Sequence, residues 1–282
     1  MDIADLIIET AALPFVVALA TALLAFALNR RYAALGLVLG FLAAYWLIMG
    51  LPPLAPRGSA QKLPYLALLA AGAGLAVEIG AARFRLLRPG LALALPLVIG
   101  IWLGWRGLAR GEGTSFAAVA ALVVAGSAVL LAYGQPPEAG RRGLEAPAVA
   151  LVLALALGAL ALLGRTASTA QLAFALAAAL GGGLILNWPS QRFPFAGLGV
   201  FAAFGILLAL GGQMLLFSEA SRLGLAIATL VVASPLAARR LKLPAGPSGD
   251  VLAPLATGVV ALVPAALAIG IGLALASREP SY

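Results

Sequence analysis

Residues 196–217 read AGLGVFAAFGILLALGGQMLLF, twenty-two positions without one charge and with Gln213 as the strongly polar exception. As a helix this stretch would rise about 33 Å, enough to cross a hydrocarbon core roughly 30 Å thick. The rule it satisfies, eighteen or more apolar residues with few charges, is met repeatedly in both directions along the chain. Ten such runs fall near 6–28, 33–51, 63–81, 90–107, 116–134, 147–164, 171–188, 196–217, 222–238 and 252–276. Pro235 interrupts the end of the ninth, and the tenth is long enough to tilt or to break at Pro254 and Pro264.

The composition agrees with that reading. Of the 282 residues, 63% are hydrophobic and 10% charged, and mean hydropathy is +1.09. Soluble domains carry roughly 25% charged residues, so this chain lacks the polar surface to be water-soluble. The links between runs are short and rich in turn residues, such as Pro52-Pro53-Leu54-Ala55-Pro56-Arg57-Gly58 and Pro244-Ala245-Gly246-Pro247-Ser248-Gly249. The expected fold is therefore all-α: a polytopic transmembrane helix bundle of about ten spanning helices. It would form one integral membrane domain over residues 1–282, with no soluble domain.

Absent residue types remove whole classes of chemistry. The chain has no Cys and no His, which excludes disulfides, thiolate nucleophiles, Ser-His hydrolysis and the usual haem and zinc ligands. No Walker loop, nucleophile elbow or Asp-rich metal motif is present. The expectation is a protein that is not an enzyme, with no cofactor and no metal site. Its partners would be the lipid bilayer and either other membrane subunits or further copies of itself. The net charge of +8 does not point to nucleic acid, because the basic residues are scattered between apolar runs.

Those basic residues orient the bundle. With the amino terminus outside, eleven fall in inside links (Arg30, Arg31, Arg83, Arg85, Arg88, Arg141, Arg142, Arg192, Arg239, Arg240, Lys242) and seven outside. This follows the excess of positive charge in cytoplasmic loops and puts both termini outside. The opening is acidic through Asp2, Asp5 and Glu9, unlike a cleaved signal peptide. Arg outnumbers Lys sixteen to two, a usage that fits a high-GC bacterium and hence its inner membrane. The best internal match sets Pro96 and Ile99-Gly100-Ile101 against Pro264 and Ile269-Gly270-Ile271. It pairs the fourth run with the tenth and is out of register for a five-plus-five repeat.

Polar groups inside the runs are the candidate functional residues, since an ionisable group in hydrocarbon costs roughly 2.5–3.5 kcal/mol. Glu78 is the acidic residue set well inside a run, and it is the candidate coupling carboxylate. Its alternative is an interfacial position balanced by Arg83 or by Arg85 at i+7. Gly181, Gly182 and Gly183 in the seventh run, with Gly211 and Gly212 in the eighth, allow close packing or a broken helix that exposes carbonyls. Gln213 would add to a polar lining. Glu9 and Asn187 are secondary candidates, Asn187 as part of a helix stop. Tyr45, Trp46, Trp102, Trp105, Trp188, Phe193 and Phe195 read as interfacial aromatics. The functional expectation is a transporter or permease for a small solute or ion. Its alternative is a non-catalytic subunit of a larger membrane complex, and a polar cavity at mid-membrane would favour transport over a solid apolar core.

Overall fold

A computed structural model describes residues 7–134, 142–187, 192, 195, 197–241 and 247–277. It is all-helical, with ten helices and no strand among the described residues. A π turn, Ile8–Ala12, leads into α1 (Leu13–Leu28), followed by α2 (Leu35–Met49), α3 (Ser59–Gly80), α4 (Leu87–Ala109) and α5 (Gly113–Tyr133). The second half holds α6 (Arg142–Leu163), α7 (Ala167–Leu186), α8 (Gly197–Phe217), the segmented α9 (Arg222–Ala238) and α10 (Pro247–Ala276). Each of the ten apolar runs forms a helix. Several helices start three to five residues before their run, because polar groups can serve a first turn at the interface. Gln61 Oε1, for example, accepts from the Gly58 N–H at 3.1 Å at the start of α3.

Eight of the helices are long and apolar enough to cross a membrane; α2 and α9 are shorter. Both nevertheless run from one face of the bundle to the other. The start of α2, Ala33 and Ala34, lies with Ala22 of α1 and Asn187 at the end of α7. Beyond its far end, the Pro53 carbonyl accepts from the Tyr65 hydroxyl at the start of α3 at 2.8 Å. The α9 segment begins beside Gly164, just past the end of α6. It finishes at Arg239, which pairs with Glu145 in the first turn of α6. It covers that distance because Thr229–Ala233 winds as a 3-10 helix. At about 2.0 Å rise per residue there, the whole of α9 reaches about 28 Å. Pro235 supplies the cause, since it cannot donate to the Val231 carbonyl as an α-helix requires. In α10 neither Pro254 nor Pro264 breaks the helix, which is continuous over 30 residues.

The links alternate between the two faces of the bundle. The turn after α1, the turn after α3, the link before α8 and the end of α9 share one face, called here the basic face. The described chain ends, near Ile8 and Ser277, both lie on the opposite face. At the centre stands α8, buried along most of its length and packed against α3, α4, α5 and α6. Its closest partner is α3, which runs antiparallel to it. A Cβ at Gly74 would sit 2.8 Å from the Leu198 Cα and 2.9 Å from its carbonyl oxygen. Backbone meets backbone there, which is how helices associate tightly where lipid supplies no hydrophobic drive.

Candidate functional site

The sequence-derived candidates do not gather in one place. Glu78 lies two residues from the end of α3, half-buried, against the amino end of α8. The Leu198 N–H donates to its Oε2 at 3.5 Å, and a carboxylate there complements the positive end of the helix dipole. Because α3 stops at Gly80, the helical i+7 register that would have faced Arg85 does not continue. Arg83 turns instead to Phe84, its guanidinium carbon 5.7 Å from the ring centroid.

Gln213 is near the other end of α8, 8% exposed, with no hydrogen-bond partner for its buried Oε1 among the described residues. The glycine triplet is continuous helix in α7, not a broken segment. A Cβ at Gly182 would lie 3.1 Å from the Phe15 carbonyl of α1, so this position serves close packing. Gly183 borders a void of about 40 Å³ beside Asn187, room for a water or two. Asn187 ends α7: its Oδ1 accepts from the Arg192 N–H at 3.0 Å and its Nδ2 donates to the Gly183 carbonyl at 3.3 Å. Glu9 falls in the π turn, and its side chain, like Asp2 and Asp5, lies outside the described residues. Of the aromatics, Trp46 and Trp105 face outward, Tyr45 is buried at 2% exposure and so is no interfacial anchor, and Trp188 and Phe193 lie outside the described residues.

What the fold does assemble is a cavity of about 310 Å³ between α5, α6, α8 and α9. Ala125, Leu157, Phe204, Gly211, Leu225 and Thr229 are among its walls, which are almost wholly apolar, and Arg222 stands at one end. Such a volume is at the lower edge of the range for small-molecule sites. Gly211 opens it: a Cβ there would meet nothing within 4 Å. The neighbouring glycine, Gly212, instead packs against Leu122 and Leu103. Gln213, two residues on and so about 200° around the helix from Gly211, is not in the wall.

Toward the basic face the cavity is closed by hydrogen bonds and charge. The Tyr133 ring stacks on Phe204, centroids 5.1 Å apart, and its hydroxyl donates to the Val232 carbonyl at 2.6 Å. That carbonyl belongs to the 3-10 stretch of α9. Beyond it Arg239 Nη2 donates to Glu145 Oε2 at 3.3 Å, with the Glu145 side chain 7% exposed and Arg239 47% exposed. A buried carboxylate of this kind needs its partner, because removing it would strand a charge away from water. Glu145 lies two residues before the sixth apolar run, which begins at Pro147, so the sequence gives no signal of it. The helix instead starts five residues upstream, at Arg142, and carries Pro147 in its second turn.

The class of protein is thus a polytopic all-α bundle with the helices of a membrane protein. No protein-family model matches the chain, and no curated protein matches it in sequence.

Proposed function

We propose that this protein is a transporter of the cell membrane for a small apolar or amphiphilic solute, housed in the cavity between α5, α6, α8 and α9. The observation that carries the reading is the cavity itself, set between α8 and the outer helices α5 and α9 and closed toward the basic face by Tyr133, Glu145 and Arg239. Its apolar walls narrow the solute class and argue against an ion. The irregular helix that transport chemistry commonly uses is α9, where non-α backbone lines a cavity. The protein performs no covalent chemistry in this reading. The basic face points to the cytoplasm of a bacterial inner membrane, leaving the chain ends outside. Glu78, where the end of α3 meets the amino end of α8, is the candidate coupling carboxylate, and Glu78→Gln should abolish coupled movement while leaving a folded protein.

The absence of cysteine makes an accessibility test clean. Gly211→Cys introduces a single thiol into the cavity without a clash. Membrane-impermeant maleimide should reach it from either side of oriented vesicles, as alternating access requires, whereas single cysteines at Arg31 and Arg85 should label from the cytoplasmic side alone. Protection of Gly211→Cys from both sides, together with no protein-dependent transfer of a labelled amphiphile between the leaflets of proteoliposomes, would remove the transport reading. A second reading, a non-catalytic subunit of a larger complex, draws on the apolar cavity wall and the separation of Glu78 from Gln213. It expects stoichiometric membrane partners in native mass spectrometry of gently extracted protein.

A further inference from the structure

We infer that the cavity binds a single-chain anionic amphiphile, its tail between α5 and α9 and its carboxylate or phosphate head on Arg222. The inference rests on the reading of this cavity as the solute site. Three features of the wall select that chemistry. First, the cavity opens sideways, because Ala121 on α5 and Ala226 and Thr229 on α9 are exposed on the outside of the bundle. An opening in that position faces lipid tails, not water.

Second, the wall offers almost no hydrogen bonding. The Thr229 hydroxyl already donates to the Ala226 carbonyl at 2.6 Å, and the Val232 carbonyl is taken by Tyr133. A sugar or amino acid would leave its polar groups unpaired there, at a cost that a hydrocarbon chain does not incur.

Third, charge and depth match. Arg222 is the charged residue of the wall. The nearest carboxylate in sequence, Glu219, pairs instead with Arg165 at 3.8 Å, and among the described residues Arg222 meets no carboxylate. From Arg222 to Val232 the wall descends about 16 Å, counting α and 3-10 rises. That is close to one leaflet's share of the roughly 30 Å hydrocarbon core. A head held at Arg222 would thus sit at the interface, with its tail ending near the midplane.

The test uses the full chain in zwitterionic phosphatidylcholine nanodiscs and a fatty acid carrying a tail diazirine, with photolabelled peptides mapped by mass spectrometry. Label should concentrate in residues 121–129 and 207–232, the stretches of α5, α8 and α9 that line the cavity. Gly211→Phe should reduce it at least tenfold, and Ala226→Leu provides a second filler should the first variant fold poorly. Arg222→Gln should lower labelling several-fold and Arg222→Lys restore most of it. The matching fatty alcohol should label wild type no better than the acid labels Arg222→Gln. Competition with unlabelled fatty acid or with lysophosphatidylglycerol distinguishes a carboxylate head from a phosphate one, and displacement by neither overturns the site. So does label spread evenly over α1 and α10, label indifferent to both fillers, or indifference to Arg222→Gln. Binding is read at equilibrium, so absent transfer of the amphiphile between leaflets alongside intact photolabelling would remove transport and leave the amphiphile site standing.

Discussion

Two sides of α8 show opposite uses of glycine. Along α3, Gly74 lets the backbone of α8 approach until no side-chain atom fits between them. Facing α5, α6 and α9, Gly211 leaves space that nothing fills. The residue is the same and so is the helical conformation; the difference is what stands opposite. Where a neighbouring helix can advance to backbone contact, a glycine becomes a seam. Across from Gly211 stands α9, whose middle is 3-10 wound and whose end is tied down by Arg239 to Glu145 and by the Val232 carbonyl to Tyr133. It is held at a distance, and the glycine becomes part of a chamber.

This contrast can be broken from either side. The largest effect belongs to the seam. Gly74→Leu would drive a side chain into the Leu198 backbone and should cost about 3 kcal/mol or more, read by unfolding in mixed micelles. A variant as stable as wild type would show that the two helices are not in contact at this depth. Next comes the ion pair. Arg239→Ala should destabilise by about 2 kcal/mol, less than the 3–5 kcal/mol of a fully buried pair because Arg239 is half exposed. A double-mutant cycle with Glu145→Gln should then return a coupling near 1 kcal/mol; strict additivity would mean that the pair does not hold α9.

Smaller changes sharpen the chamber side. Tyr133→Phe removes the hydroxyl that holds Val232 and should cost about 0.6–1 kcal/mol, with faster hydrogen exchange confined to 229–233. Gly211→Ala should be neutral or stabilising by up to about 1 kcal/mol, since alanine is the better helix former and its methyl group meets nothing. A destabilised Gly211→Ala would mean that the space is not there.

The two regions were not equally legible beforehand. The helix α8 could be read from residues 196–217 almost to the residue, because an uncharged stretch of that length has few other fates. Which links share a face was legible for the same reason: ten runs alternate sides. Asn187 was legible as a helix stop, from an amide followed by Trp188-Pro189. The roles of the glycines were not legible, because Gly74, Gly181, Gly182, Gly183 and Gly211 look alike in one dimension. Glu145 escaped notice because a hydropathy window trims a polar first turn from its helix. Nothing in the sequence marks Tyr133, because its partner is 99 residues away.

Composition and run length by themselves determined that the chain is an all-α bundle, how many helices its described residues form and which links share a face. Those properties are local, since each backbone group in hydrocarbon must find its partner within its own helix. Only the tertiary structure decided which glycines form seams, that Glu78 meets the amino end of α8, and that a chamber opens beside Gly211 above Tyr133, Glu145 and Arg239. Helices in lipid are matched by the shape and depth of their faces, and that matching depends on residues far apart in the chain.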